Sequence, residues 1–205
     1  MGTRHLTCIF ADGEMRVAQY GQWDGYPSGA GANILRQLRT MDMNKLKKRA
    51  IAAKQLTSEE VDKFWTDNGA DGSGYVSLEL SKKLGVKYPT LSRDTGSDVL
   101  GILYNSPPGL GISNQINFAA DSLFCEWLWM IDLDKGVLEC YRGFNTEPLG
   151  RGERFKDFKM EESEAGHRSK KYYPVKFHKS YPLTELPTDD ELIADCEYPD
   201  EDSGE

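Results

Sequence analysis

The residues in this chain best placed to do chemistry are Arg4 and His5 near the N-terminus and the run Tyr20-Gly21-Gln22-Trp23-Asp24-Gly25-Tyr26-Pro27-Ser28-Gly29-Ala30-Gly31. Glycines in that run let backbone approach a neighbour closely, and exposed aromatic rings offer a flat surface to lie on. The combination reads as the wall of a small-ligand pocket. Trp23 and Tyr26 would stack on a planar ligand, and Asp24 would accept a hydrogen bond. Gln22, Ser28 and Asp121 would add polar contacts, while Arg4 and Arg93 would neutralise an anionic part, as on a nucleotide-like metabolite. The same composition would also serve a structured turn whose Trp23 and Tyr26 plug the core. The loop leads into a helix, so its amides could receive an anion or a carbonyl oxygen. Its spacing of Gly25, Gly29 and Gly31 nevertheless matches neither the dinucleotide fingerprint nor the phosphate loop.

Three residues are candidates for catalysis: His5, Cys8 and Glu126. His5 has the pKa range for proton transfer, although a lone histidine at a strand end also serves structure. A hydrolase or transferase would use His5 or Cys8 with Asp24 or Glu126. Glu126 and Asp121 flank an apolar run, where a carboxylate has a raised pKa unless paired, with Arg93 or Arg142 as structural partners. Asp132 and Asp134 read as turn residues. No metal site is legible. His167 and His178 lack ligand spacing, and Gly69 to Leu80 imitates a calcium loop without its first carboxylate or its terminal glutamate. No cofactor is expected.

Composition narrows the classes. The chain has 205 residues, 39% hydrophobic and 11% aromatic, with a net charge of −8, which suits a soluble globular protein. It contains no run long enough to span a bilayer and no apolar signal region after Met1. Its four cysteines (Cys8, Cys125, Cys140 and Cys196) form no CxxC pair, which suggests buried free thiols and a cytoplasmic setting. Acidic residues crowd the end of the chain, whereas Arg36, Arg39, Lys45, Lys47, Lys48, Arg49 and Lys54 make a cationic stretch. That stretch is either a solvated face or a dock for a protein partner. Double-stranded nucleic acid does not fit this balance of charge.

The elements that must position these residues follow from pattern. Thr3 to Phe10 and Glu14 to Tyr20 read as strands about an Ala11-Asp12-Gly13 turn. Helices follow from Ser28 to Met41, Asn44 to Lys54, after the Thr57 capping box, Leu78 to Leu84, and after Ser92. Ser122 to Ile131 and Val137 to Phe144 form a second hairpin, Leu149 to Lys171 a loop, and Tyr172 to Pro182 a last strand. Thr188 opens a helix that ends at Cys196. This order predicts an α+β fold in which antiparallel hairpins from both halves of the chain form a sheet packed against a central block of helices. One domain is expected over 1–188, its helical subregion at 29–104, with an acidic, flexible tail at 189–205.

Four strings resemble those of an uncharacterised protein family found in fungi, bacteria and phages. They are Thr3 to Thr7 (TRHLT), Val17 to Gly29 (VAQYGQWDGYPSG), Leu91 to Gly96 (LSRDTG) and Phe118 to Trp127 (FAADSLFCEW). The resemblance covers most of the chain except the tail. It implies no particular activity, but it implies that the four strings converge on one site. A sheet opening on a hairpin is also similar to N-terminal-nucleophile hydrolases. Removal of Met1 would expose Gly2, however, so that chemistry would require cleavage before Thr3 or Cys8.

Overall fold

Alternating side chains and a tight turn fold the start of the chain into a hairpin. β1 (His5–Ala11) and β2 (Glu14–Gly21) pair antiparallel, with His5 opposite Gly21 and Thr7 opposite Gln19. Asp12 and Gly13 take left-handed backbone, φ 56° and 73°, as a two-residue hairpin turn requires. The computed structural model describes residues 2–70, 77–159 and 171–196. His167, the middle of the calcium-loop imitation and the last acidic residues lie outside them.

The sheet is mixed, which corrects the expectation of antiparallel hairpins alone. β5 (Trp127–Asp132) runs parallel to β1, with His5 opposite Trp127 and Thr7 opposite Trp129. β6 (Val137–Arg142) and β7 (Lys176–Pro182) then add antiparallel, giving the order β2-β1-β5-β6-β7. All six residues of β5 are buried, so this apolar run needs cover on both faces and takes the centre of the sheet. The chain from Gln22 to Glu126 carries β2 round to β5, since parallel pairing with β1 needs a crossover rather than a tight turn.

Strand alternation sends neighbouring residues to opposite faces. On one face Ile9, Trp129 and Ile131 pack against α1 (Ala32–Leu38), α2 (Met43–Ile51) and α5 (Val99–Asn105), through Ile34, Leu35, Leu46, Leu100 and Leu103. On the other, Leu6, Cys8, Leu128, Met130 and Tyr141 pack under Ala119, Phe155 and Val175. That second face also buries an ion cluster, in which Arg154 pairs with Asp132 and, at 3.1 Å, with Glu139. Asp132 and Asp134 hold turns as expected: Asp134 accepts from Asp12 N–H and Gly13 N–H at 3.0 and 2.9 Å.

Two peripheral parts complete the chain. β3 (Lys54–Leu56) and β4 (Gly111–Ser113) form a short parallel ladder, so Lys54 is in a strand rather than at a helix end. α3 (Ser58–Asp67) starts at the expected Thr57–Glu60 capping box, and α4 (Leu78–Lys87) follows. Asp189–Cys196, which composition groups with the acidic tail, is the terminal helix that Thr188 opens. We label it α6. It buries Leu192 and Cys196 in the main core, and Arg39 holds its first residue, Asp189, at 2.7 Å.

Candidate functional site

His5 is the residue around which this site is built. It begins β1 and shares a face with Ile9, towards the helices, where it is only 2% exposed. Three glycines hold its ring. A methyl group on Gly21 would overlap His5 Cε1, one on Gly96 would stand 2.8 Å from Nε2, and one on Gly25 would stand 3.0 Å from Nδ1. No β-carbon tolerates such approaches, so these positions admit the imidazole only as glycine. Burial pushes the His5 pKa down to about 4; the Thr3 carbonyl and the Asp24 carboxylate oppose that shift and lose. The imidazole is therefore neutral at pH 7. The Thr3 carbonyl is set against the ring short of good hydrogen-bond geometry; otherwise neither ring nitrogen has a partner among the described residues, nor do Thr7 Oγ1 and Gln19 Oε1 behind it on the same face.

His5 is among the residues that line a cleft of about 360 Å³. One wall is the glycine loop, through Trp23, Asp24, Ser28, Gly29 and Ala30. Asp24 has left-handed backbone, φ 54°, and the loop around it is well tied. Gly25 N–H donates to the Thr3 carbonyl at 2.9 Å, Ala30 N–H to the Asp24 carbonyl at 2.7 Å, and the Trp129 indole to the Gly25 carbonyl at 2.9 Å. The chain then enters α1 through a wide turn, Pro27–Gly31, in which Gly31 N–H reaches back to the Tyr26 carbonyl. Asn33 and Arg36 on α1 extend this wall.

The opposite wall is Asp94 to Asp98, with Gly96 in left-handed backbone, φ 46°. It is fastened to its surroundings at several points. Gln22 N–H donates to the Arg93 carbonyl at 2.9 Å, the Thr95 hydroxyl donates to the Pro89 carbonyl, and the Thr90 hydroxyl donates to the Gly111 carbonyl at 2.7 Å. Side chains bridge the two walls. The Trp23 indole N–H donates to Asp94 at 3.0 Å, and the Asn33 amide donates to Ser97 at 2.8 Å and Asp98 at 2.9 Å.

Of the residues proposed from sequence, the cleft gathers His5, Trp23, Asp24 and Ser28. The alternative that Trp23 and Tyr26 plug the core does not hold, because they are 49% and 39% exposed. Tyr26 stands just outside the lining and donates its hydroxyl to Asp24 at 3.0 Å. Gln22 is turned away and accepts from the Tyr20 hydroxyl at 2.7 Å. Arg93 sits outside as well, 3.7 Å from the Asp94 carboxylate. Arg4 points to the other side, its guanidinium 4.4 Å from the centre of the Phe124 ring.

The second wall expected from Phe118 to Trp127 is absent from the cleft. Phe118 packs edge-on against Tyr20 and belongs with the opposite face of the sheet, as do Cys8 and Cys125. Asp121 therefore contributes nothing to the lining; its carbonyl instead accepts from Cys125 N–H at 2.7 Å. Glu126 accepts weakly from Arg4 N–H at 3.4 Å, and burial raises its pKa. Arg4, rather than Arg93 or Arg142, is the arginine beside it. Cys8 is fully buried, its thiol pushed far up by burial, so it cannot supply a thiolate to ligand in this cleft. Three of the four strings thus meet at the cleft, and the fourth backs the sheet.

Sequence reasoning missed Asn33, Arg36, Asp94, Thr95, Ser97 and Asp98. The available signal was the Asp94-Thr95-Gly96 triplet, with a glycine inside a polar run. Among the described residues no group of His, Cys, Asp and Glu is arranged to hold a metal ion, no helix is long and apolar enough to cross a membrane, and the cysteines are free and buried. The cationic stretch is largely engaged internally. Lys47 pairs with Asp134 and Lys54 with Glu60, both at 2.6 Å, and Lys45 lies 3.8 Å from the centre of the Tyr104 ring. Comparison with family models, curated proteins and solved structures finds no match to this chain.

Proposed function

We propose that this chain binds a small, ring-bearing ligand in the cleft between Trp23–Ala30 and Asp94–Asp98. One observation carries the reading. A buried histidine, set against the Thr3 carbonyl but otherwise without a hydrogen-bond partner among the described residues, lines an open cleft, in a cradle that requires three glycines. Buried polar groups without partners cost stability, commonly about 1–3 kcal/mol each, and such a cost is retained where a ligand makes use of it. Trp23 supplies the flat surface and Asp24 an acceptor. His5 offers one donor and one acceptor in its neutral form.

A second reading has a specific observation behind it. His5 and Asp24 share the cleft with Ser28 and Ser97, a set that suits hydrolysis or group transfer with His5 as base. Thermal unfolding against a metabolite panel that includes nucleotides, with mass spectrometry of each compound afterwards, separates the two. A ligand that raises the Tm and is recovered intact supports binding, and a converted one supports catalysis. Trp23→Ala should abolish the shift, whereas Tyr26→Ala should reduce it only slightly. A shift that survives Trp23→Ala would refute the cleft as the site.

A further inference from the structure

The charge of the cleft is opposite to what an anionic ligand needs. The amides of the wide turn, that of Ser28 apart, are already spent. Gly29 and Gly31 N–H donate to the Tyr26 carbonyl at 3.0 and 3.4 Å, Ala30 N–H donates to the Asp24 carbonyl at 2.7 Å, and Pro27 has no N–H. An anion would therefore find few of the free donors that make a helix start attractive. Arg4 and Arg93 are outside the lining as well.

What the cleft does present is acceptors. Asp24, Asp94 and Asp98 line it against a single cation, Arg36, which leans towards Asp189 at 3.8 Å. The donors that fix these three carboxylates are neutral: the Tyr26 hydroxyl, the Trp23 indole and the Asn33 amide, at 3.0, 3.0 and 2.9 Å. They orient the carboxylates without cancelling their charge, and only Asp94 also has a guanidinium near it, that of Arg93 at 3.7 Å. Beneath them the neutral His5 does not repel a cation. Trp23, with its N–H committed to Asp94, keeps ring surface exposed, and indole is the best aromatic partner for a cation.

We propose that the ligand of this cleft is a cation carried on a flat ring, namely an arylalkylamine, an aryl amidine or an aryl guanidine, and not a phosphate or a carboxylate. This rests on the ligand-binding reading above and gives that ligand its charge. A matched pair of probes tests it on the full chain at pH 7 and low salt: benzamidine and benzoate, alike in ring and opposite in charge. Benzamidine should bind, raising the Tm and moving the Trp23 indole N–H resonance, and benzoate should do neither. Asp24→Asn combined with Asp98→Asn should weaken benzamidine about tenfold, the loss expected when charge-assisted hydrogen bonds become neutral ones. Asparagine tolerates the left-handed backbone of Asp24 and keeps an acceptor for Asn33, so the double variant should keep the fold. Benzoate or a phosphate-bearing nucleotide moving the Trp23 signal more strongly than benzamidine would overturn the charge and leave the ligand reading standing. Benzamidine that binds without moving Trp23, or that ignores both substitutions, would overturn the inference as binding elsewhere. No response to either probe or to any panel compound would overturn both.

Discussion

His5 illustrates how one side chain can be costly and useful together. Its pKa of about 4 lies below the 6.5 it has in the unfolded chain, because burial penalises the imidazolium. Above pH 6.5 both states leave it neutral, so its contribution to stability is fully present. As the pH falls from 6.5 towards 4 the unfolded chain takes up a proton that the folded chain refuses, and stability is lost; below about 4 the loss is complete. The gap corresponds to about 3 kcal/mol. Two measurements check this. An NMR titration of the His5 Cε1–H should give a midpoint near 4. Denaturation at pH 7 and at pH 4.5 should show a steeper loss in the wild type than in His5→Asn, which has no group to titrate there. A midpoint at or above the ordinary histidine value would mean that the ring is not held as described.

At the scale of elements, the parts of the fold legible in sequence are those with local causes. The first hairpin follows from β-branched and aromatic residues about a tight turn, and α3 from its Thr57–Glu60 box. The apolar run through Trp127 to Ile131 reads as a strand covered on both faces, and so it is, but its parallel pairing with β1 was not legible, because which strand lies beside it is a fact about the whole sheet. The site divides in the same way. Composition within one loop exposed Trp23, Asp24 and Ser28. The Asp94–Asp98 wall meets that loop only through the fold, and reading its string for the charge of Arg93 passed over the residues that line the cleft. α6 shows the same limit: as sequence it is acidic, yet its Leu192 belongs to the core. Leu192 lies against Gly31, so that a methyl group on that glycine would stand 3.0 Å from it, and α6 thereby supports the wide turn leading from the cleft into α1. Leu192→Ala should destabilise the protein by about 2–5 kcal/mol, the usual cost of a large-to-small change in a packed core. Chemical denaturation measures it. A loss below about 1 kcal/mol, the level of a surface substitution, would place α6 outside the core.

The molecule as a whole is a sheet covered on both faces with a helical projection whose removal should leave the cleft in place. α3 buries none of its side chains; Phe64 makes an edge contact with Tyr88, with ring centres 4.6 Å apart, and Lys54 reaches Glu60. α4 approaches the Asp94–Asp98 wall at Gly85, where an added methyl group would lie 3.2 Å from Ser92. The wall's own fastenings come from elsewhere: Thr90 to Gly111, Gln22 to Arg93 and Trp23 to Asp94. Those bonds join it to β4 and to the glycine loop, both of which persist if Thr57 to Lys87 is replaced by a short Gly/Ser linker. Shortening a loop changes closure entropy only slowly, by about 0.6 kcal/mol per halving. The excised protein should therefore lose less stability than Leu192→Ala and bind a cleft ligand within about threefold of the full chain, a difference under 1 kcal/mol. Calorimetric titration and a thermal scan on the two proteins decide it. If binding is abolished while the β-sheet signal remains, α3 and α4 hold the wall in place, and the cleft depends on the projection as well as on the sheet.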